Sequence, residues 1–454
     1  MHTPSNSKNR QAPFKWLAVS SALLGLSMAA HGMDLLQAFE AAQQQDATIL
    51  AARAAADVER ERLPQAKAQL LPNLNAGMSR TNNQLTSVTP NFLGVEQTTN
   101  TNYPSSNQTL TLRQPLFRPQ LMAQYRQAQA QVDDADAVLQ LEEQNLGVRV
   151  RSAYFGAMLT RDQLALVLAQ QVAYTAQLDA ARKTFEAGSG TRTDIDEAQS
   201  RLDMNQALEI EARQNVTYTL QQLQMLVNQP IDKLATLDVA LLSLEYPQPN
   251  NLDDWAARAE NTSPQLQSLK SRVDAAREET KKANAGHYPT LDAIAQWSDS
   301  ESESVTNTSS RYTNRSFGFQ LNIPLFAGGY VNSQVRQSLA GVERAEQFLE
   351  AGRRDLKMRV FKEFRGVAEN VPKIKALEQA LRSADQLVLS SRKSFQAGSR
   401  TVIDILNAEQ QRVVVQRDLA QARYVYLISK IKLLALVGEA DVGAVVSINA
   451  MLRN

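Results

Sequence analysis

Two hydrophobic patterns run along the chain, and each of them occurs twice. The first pattern places apolar residues at alternating steps of four and three, which is the spacing of a coiled-coil seam. One seam begins at Leu121 and a second begins at Val331, 210 positions later. The residues of the two seams correspond one to one: Leu121, Tyr125, Ala128, Val132, Ala135 and Leu139 in the first, and Val331, Val335, Ser338, Val342, Ala345 and Leu349 in the second. The pattern therefore predicts two long helices that share one register.

The second pattern alternates apolar and polar residues, as a half-exposed β-strand does. The strand-like segments are 73–83, 107–113, 290–297 and 311–323. They predict two hairpins, of which the first has a long polar loop at 84–106. Both hairpins leave through the same three residues, Pro-Leu-Phe, at 115–117 and 324–326.

A third similarity lies where each long helix ends. Residues 182–199 and 392–409 read RKTFEAGSGTRTDIDEAQ and RKSFQAGSRTVIDILNAE, and ten of the eighteen paired positions are identical. Gly188 and Gly398 are expected to end the long helices, because glycine tolerates the left-handed conformation of a helix C-terminus. The two segments therefore predict two helical hairpins with similar turns, which we call the first tip and the second tip.

After each tip a return helix opens with an acid, Asp194 or Asp404, near its positive end. The helix dipole stabilises a carboxylate there by about 0.3–1 kcal/mol. On the sequence alone, this structural role and a functional role of the two acids are both open.

These patterns divide the chain into a leader and two tandem repeats, 33–249 and 250–454. The first repeat is predicted to contain a helix at 34–70, a hairpin at 73–115, a long helix at 119–187, a tip at 188–193, a return helix at 193–228 and an equatorial connector at 229–249. The second repeat is predicted to contain a helix at 252–286, a hairpin at 290–324, a long helix at 328–397, a tip at 398–401, a return helix at 401–437 and a C-terminal equatorial segment at 438–454.

The leader, residues 1–32, has the pattern of a cleaved secretory signal peptide. Lys8, Arg10 and Lys15 precede an apolar run at 16–30, and small residues follow it. The run is shorter than the roughly 20 residues that span a bilayer. The mature chain is therefore predicted to be exported and to begin near Met33.

The lengths of the helices predict an elongated molecule. A helix from 119 to 188 is about 100 Å long at about 1.5 Å per residue, and each return helix covers about half of that distance. We expect the helix at 252–286 to continue the first return helix, and the helix at 34–70 to continue the second. All four strands then lie at one end of the molecule and both tips at the other.

The strands have the length of tilted membrane strands, about 9–11 residues. A sheet in lipid has to close into a barrel, because unpaired edges are not tolerated there, and four strands are too few. Two copies would make a barrel filled by side chains, whereas three copies would make about twelve strands around a lumen. The alternative interpretation of a single alternating hairpin is that it belongs to the sheet of a soluble protein.

Composition narrows the function classes. The 48 basic and 47 acidic residues balance, which predicts no nucleic-acid partner, and the chain has no cysteine. His287 is the only histidine after the leader, and no triad, metal cluster or glycine-rich loop is recognisable. We therefore expect no enzyme activity and no cofactor.

Several motifs resemble the TolC family of outer-membrane efflux and type I secretion ducts. Residues 395–408, FQAGSRTVIDILNA, resemble the family's tip motif, and the hairpin exits at 114–117 and 323–326 resemble the family as well. The resemblance covers essentially the whole mature chain, including the duplication. It implies a mainly α fold with a small β part: a homotrimeric, 12-stranded outer-membrane β-barrel that continues into a long periplasmic α-helical coiled-coil barrel.

The resemblance also implies a gate at the tips. In the family, an arginine and a tyrosine near the second tip bond to a Thr-Asp pair at the first. Arg400 matches the arginine, and Thr193 and Asp194 match the pair. Phe395 stands in place of the tyrosine, so the hydroxyl of this link is missing.

In a second link of the family, Gln177 matches a glutamine, but Arg392 stands where its glutamate partner would be. The family's acidic constriction is matched by Asp404, while Asn407 replaces the second acid. A ring of three Asp404 carboxylates would favour cations. The gate is therefore expected to be looser or differently connected, and the loss of the second acid to weaken block by a bound cation.

The implied function is a passive exit duct for type I protein secretion, small-molecule efflux or both. The duct would open when a periplasmic adaptor and an inner-membrane pump, either an ABC or a proton-driven one, dock at the tips. The absence of an N-terminal lipidated cysteine favours the type I secretion branch. The alternative is a soluble periplasmic coiled-coil scaffold or adaptor without a barrel. The turn residues expected to contact the adaptor are Gly188, Ser189, Thr191, Gly398, Ser399 and Thr401.

Overall fold

The computed structural model describes residues 32–303, 309–439, 443, 446 and 449–453. The predicted signal peptide therefore lies outside the described residues, except for its last position, Gly32. Within the described part of the chain, none of the helices combines the length and the apolar character needed to cross a membrane.

Nine α-helices and six strands make up the described chain. The first repeat contains α1 (Leu35–Gln45), α2 (Ala47–Arg60), α3 (Arg62–Ala68), β1 (Asn73–Pro90), β2 (Glu96–Phe117), α4 (Pro119–Glu186), α5 (Arg192–Val227) and β3 (Thr236–Leu237). The second repeat contains α6 (Leu252–Thr262), α7 (Pro264–Asn284), β4 (Thr290–Glu303), β5 (Ser309–Asn322), α8 (Tyr330–Gln396), α9 (Val402–Leu436) and β6 (Leu452–Arg453).

The opening helix of each repeat is broken where the sequence predicts one continuous helix. The Asp46 carboxylate accepts a hydrogen bond from the Ile49 amide at 2.9 Å and thereby caps α2. Ser263 caps α7 in the same way, and Pro264 occupies its first turn, where the missing N–H is not needed. Asp46 and Ser263 occupy equivalent positions of the two repeats. The break is therefore a duplicated feature that side-chain capping creates.

The first hairpin has much longer strands than the alternation pattern predicts. The predicted loop at 84–106 is mostly strand, since β1 extends to Pro90 and β2 begins at Glu96. Polar cross-strand bonds continue the ladder there, for example from Thr86 Oγ1 to Asn100 Oδ1 at 2.6 Å. The prediction missed this part because its polar residues pair with each other and do not alternate with apolar ones.

The four long strands form one antiparallel sheet in the order β1-β2-β4-β5. Within the described chain, β1 and β5 are its two edges. At the start of β4, Asp292 is 2% exposed and accepts bonds from Arg113 and Arg118. Arg113 lies on β2 and Arg118 directly precedes α4, so this carboxylate ties the sheet to the top of the long helix.

Helices α4 and α8 are the two spines of the molecule. Helix α5 packs on α4, α9 packs on both spines, and α7 lies between the spines on the hairpin side. The main hydrophobic core is centred halfway along α4, where the rings of Tyr154, Phe155 and Tyr424 are buried against one another. The helices thus share one core from both repeats.

The short helices continue the return helix of their own repeat, so the predicted pairing was wrong. Asn228, after α5, donates to Gln45 of α1 at 3.5 Å, while Arg258 of α6 forms an ion pair with Glu439 beyond α9. The predicted partner of the first return helix, 252–286, therefore belongs to the second. The reason is that α1 packs beside the end of α5 on α4, whereas α6 packs on α8, the spine on which α9 returns.

A small belt at mid-height joins distant parts of the chain. Strand β3 pairs with β6, and Met33 forms an isolated bridge with Leu234. The Tyr154 hydroxyl donates to the Met33 carbonyl at 2.8 Å. The start of the first repeat, the connector and residues near the C-terminus are thereby held at the middle of the spine.

Candidate gate at the paired tips

The two tips have nearly the same backbone. Gly188 and Gly398 have φ values of +74° and +75°, in the left-handed region that favours glycine. Each donates its N–H to the carbonyl of a phenylalanine, Phe185 or Phe395, at 2.9 Å. The glycine ends the long helix in both repeats because it closes this turn without steric strain.

A capping box opens each return helix. Thr191 and Asp194 exchange backbone and side-chain bonds at the start of α5, and Thr401 and Asp404 do the same at the start of α9. Asp404 Oδ2 accepts from both the Thr401 amide and the Thr401 hydroxyl, at 2.9 Å each. These two bonds, and more weakly the positive charge of Arg400, hold the pKa of Asp404 below its usual range.

One difference between the tips lies inside the turn, where the first has Gly190 and the second has Arg400. A Cβ atom at Gly190 would lie 2.8 Å from the Phe185 amide nitrogen, so only glycine fits this turn. Gly190 uses that space to donate a bond to the Thr184 carbonyl at 2.9 Å. In the second tip, Arg400 Nη1 bonds to the hydroxyl of Ser391 at 3.3 Å, and Ser391 is fully buried.

A small apolar cluster holds the two helical hairpins together behind the tips. Its buried residues come from α4, α5 and α9, and partly buried residues of α5 and α8 pack around them. The members are Tyr174, Leu178, Ala198, Val402 and Leu406, with Ile195, Leu202 and Phe395 around them. Phe395, which stands where the resemblance implies a tyrosine, therefore contributes packing in place of a hydroxyl bond.

Arg201 bridges the return helices of the two repeats. Its guanidinium donates to Asn407 Oδ1 at 2.8 Å and to Gln410 Oε1 at 2.7 Å, both on α9. It is also paired with Glu197 on its own helix at 2.8 Å. We call these bonds the Arg201 strap. The strap was not predicted, because Glu197 and Arg201 read as an ordinary i,i+4 surface pair in the sequence.

Arg392 bonds within the second repeat, whereas the resemblance places its position opposite Gln177. Its guanidinium bonds to Glu409 on α9 at 2.5 Å, and Arg412 also contacts this nearly buried carboxylate. The equivalent pair in the first repeat, Arg182 and Gln199, is 3.4 Å apart. Glu409 was not predicted as a gate residue, although the first repeat has an amide, Gln199, at the equivalent position.

The links between the tips that the resemblance implies are not formed among the described residues of a single chain. Gln177 is half-buried on α4, and Thr193 is exposed in the first turn of α5. Among the described residues, Arg392 bonds to Glu409 and Arg400 to Ser391, so neither reaches the first tip within one chain. The two predicted links to Gln177, Thr193 and Asp194 stay predictions.

The described residues contain no group of histidine, cysteine or acidic side chains that could hold a metal ion. The residues at the tips instead form contacts between helices. A cluster, a strap and two turn motifs connect four helices at one end of the molecule. Such a set of weak contacts can hold the hairpins together and can release them when another surface competes.

Comparison with known proteins identifies the fold and the family. A model of the outer membrane efflux protein family matches residues 38–229 and 255–439. The crystal structure of the Campylobacter jejuni CmeC outer membrane channel superimposes with a TM-score of 0.78 at 12% identity, covering 96% of this chain and 94% of that one. The predicted fold class, mainly α with a small β part and an internal duplication, is confirmed.

Three known proteins are similar in sequence to this chain over most of their own length. The alkaline protease secretion protein AprF of Pseudomonas aeruginosa is 33% identical over 92% of this chain and 87% of its own. The proteases secretion protein PrtF of Dickeya chrysanthemi is 30% identical over 88% of this chain and 86% of its own. The outer membrane protein TolC of Escherichia coli is 27% identical over 96% of this chain and 88% of its own.

These matches decide between the two functions that the sequence left open. Proteins of this group are homotrimeric outer-membrane channels that work with adaptors and pumps, and they are not enzymes. The soluble scaffold is therefore excluded, and the outer-membrane location with a large periplasmic portion is confirmed. The chain belongs to the outer membrane efflux protein family, within the group of TolC-like channels.

Proposed function

We propose that this chain is the outer-membrane exit duct of a type I protein secretion system. The observation that carries the proposal is its identity of 33% and 30% to two proteins named for protease secretion. Both values exceed the 27% identity to TolC of Escherichia coli. The cargo would be a secreted polypeptide that crosses the periplasm inside the helical tunnel.

The duct supplies no energy in this proposal, and its only moving part is the gate at the tips. In the closed state the apolar cluster and the Arg201 strap hold α5 against α9. An adaptor that binds the separated hairpins more tightly than the closed ones shifts the population towards the open duct. A shift from one per cent to ninety-nine per cent open needs about 5.5 kcal/mol of differential binding.

The adaptor is proposed to dock on the outer surface of the tips. Ser189, Thr191, Ser399 and Thr401 are exposed there and offer hydroxyl groups to a partner helix. Phe185 is 43% exposed, whereas its counterpart Phe395 packs into the apolar cluster. The exposed ring gives the first tip an apolar contact that the second tip lacks.

The constriction is proposed to consist of Asp404 from each of three copies. The Thr401 bonds keep this carboxylate ionised and fix its position at the start of α9. Three such charges around a narrow opening would attract cations and slow anions. Asn407 lies one turn further along the same helix and adds no charge.

A pull-down of the channel with its partners tests the proposed branch. The chain would be cross-linked in the envelope of the bacterium that makes it, purified in detergent, and its partners identified by mass spectrometry. An inner-membrane ABC pump together with an adaptor supports protein secretion. A proton-driven pump as the sole partner would instead assign the chain to small-molecule efflux.

Complementation provides a second test. The chain would be expressed in Pseudomonas aeruginosa lacking AprF, either alone or together with its own pump and adaptor, and protease in the medium would be measured. Restored secretion supports the proposal. A chain that reaches the outer membrane as a trimer but restores no secretion with either set of partners contradicts it.

A further inference from the structure

The Arg201 strap joins the two repeats at the level of the proposed constriction. Each of its three guanidinium nitrogens donates a bond, with Asn407 and Gln410 on α9 and Glu197 on α5 as acceptors. Only 20% of the arginine side-chain surface is exposed. We propose that Arg201 is a gate residue whose bonds to Asn407 and Gln410 hold the closed state and have to break before the tips separate.

The placement of the strap suits this role. Arg201 directly precedes Leu202, and Asn407 directly follows Leu406, so the strap lies at the rim of the apolar cluster. Glu197 holds the guanidinium from the same helix and leaves two of its nitrogens for α9. The bonds to α9 therefore form without reorganising the arginine, and they report directly on the separation of α5 and α9.

The chemistry of the acceptors suits a bond that opens. Both acceptors on α9 are neutral amides, which bind a guanidinium less strongly than a carboxylate does. An acid at position 407 would form an ion pair with Arg201 and would strengthen the closed state. The amide at 407 thus keeps the bond to Arg201 weak enough to break when the tips separate.

Helix α5 also offers a matched control. Arg213 pairs with Glu209 at 2.7 Å, with the same i,i+4 geometry that joins Arg201 to Glu197. Its side chain is 59% exposed, and its guanidinium bonds to an acid of the same helix. Substitution of Arg213 therefore removes an arginine from the same helix without touching α9.

The inference rests on the proposed duct function, and the experiment separates the two. Purified trimers of the full mature chain would be inserted into planar lipid bilayers, and single-channel conductance would be measured. We expect Arg201→Ala to raise the conductance at least twofold over the wild type, and Arg213→Ala to leave it unchanged. The double variant Asn407→Ala/Gln410→Ala should match Arg201→Ala, and the triple variant should show no further increase.

The outcomes separate a failure of the proposed strap from a failure of the proposed duct function. A wild-type trimer that forms no pores overturns the proposed duct. A wild type that forms pores, with Arg201→Ala indistinguishable from Arg213→Ala, overturns only the strap. Additive effects of the Arg201 and Asn407 substitutions would also overturn it, because they would show that the two residues act independently.

A cross-linking experiment covers the case in which Arg201→Ala does not assemble. The chain has no cysteine, so Arg201→Cys/Asn407→Cys places the only two thiols on α5 and α9. A cleavable bis-maleimide should lock the conductance at or below the wild-type value, and a reductant should then raise it. A conductance that stays the same before and after cleavage contradicts the strap.

Discussion

Arg392 on α8 and Glu409 on α9 form an ion pair of 2.5 Å that has no charged counterpart in the other repeat. The carboxylate side chain is 4% exposed, and Arg412 contacts it from the other side at 2.8 Å. At the equivalent positions, Arg182 faces the neutral Gln199 at 3.4 Å. The second helical hairpin therefore has an ion pair where the first has a longer bond from an arginine to a neutral amide.

The first prediction concerns this charged clamp. Glu409→Gln should destabilise the α8–α9 hairpin by about 1–3 kcal/mol, because two arginines lose a buried charged acceptor. Hydrogen exchange of the backbone amides around the second tip should become faster. The control is Glu369→Gln, which removes an exposed i,i+4 partner of Arg365 and should leave the exchange rates nearly unchanged. Equal exchange in both variants would refute the clamp.

The second prediction concerns cation block at the constriction. Asp404→Asn should reduce inhibition of the single-channel current by divalent cations, because it removes three carboxylates from the opening. Asp196→Asn is the control, since Asp196 is an exposed acid near the first tip that pairs with Arg192 of its own helix and belongs to none of the predicted gate links. Inhibition that is unchanged in Asp404→Asn would reject this residue as the filter.

The third prediction is the pH dependence of that block. The folded-state pKa of Asp404 is depressed by the Thr401 amide and hydroxyl, so the carboxylate stays ionised down to a pH below its ordinary value of about 3.9. Its contribution to stability is present above the unfolded-state pKa and is lost as the pH falls through the folded-state pKa. Thr401→Ala removes the hydroxyl donor, so cation block should disappear at a higher pH than in the wild type. The titration is measured on single channels, and coincident curves would contradict the assignment.

The fourth prediction concerns Arg400. If it links the second tip to Thr193 and Asp194 of the assembled channel, Arg400→Ser should raise the conductance in planar bilayers. Arg192→Ser is a suitable control, because Arg192 is exposed at the first tip and pairs with Asp196 of its own helix. A conductance equal to that of the control would show that Arg400 does not hold the gate and acts only through its bond with Ser391.

The fifth prediction concerns the seam between copies in the barrel. Within one chain, Leu112 of β2 is paired with Ala295 of β4. The repeat makes Leu321 the counterpart of Leu112, and Met78 the counterpart of Ala295, so Leu321 of edge strand β5 should pair with Met78 of edge strand β1 in the next copy. Leu321→Cys/Met78→Cys should therefore form covalent dimers and trimers on oxidation, as seen on denaturing gels without reductant. Phe319→Cys/Met78→Cys, shifted by two residues, should cross-link poorly, and the reverse preference would refute the register.

Several features could be predicted from the sequence because they depend on local rules. The duplicated glycines fix where the long helices turn, and the step of four and three fixes their apolar face. The hairpins were recognisable from alternation where one face is apolar. The extension of β1 and β2 was missed because their outer halves are polar on both faces and are held by cross-strand pairing.

Fewer features of the gate could be predicted from the residues alone. Glu197 and Arg201 look like any helix-surface pair, and only the approach of α9 turns Arg201 into a link between repeats. Arg392 stands where the family has a glutamate partner for Gln177, and in the single chain it bonds to Glu409 instead. In each case the partner lies on a different helix, so its identity depends on how the helices pack.

The sequence by itself determined the repeat, the order of helices and hairpins, the turns at the tips and, through their resemblance, the family. These properties follow from residue periodicity and from backbone preferences that act over a few positions. Only the tertiary structure decided which short helix continues which return helix and which side chains join α5 to α9. Those choices depend on contacts between segments roughly two hundred residues apart, and no local pattern encodes them.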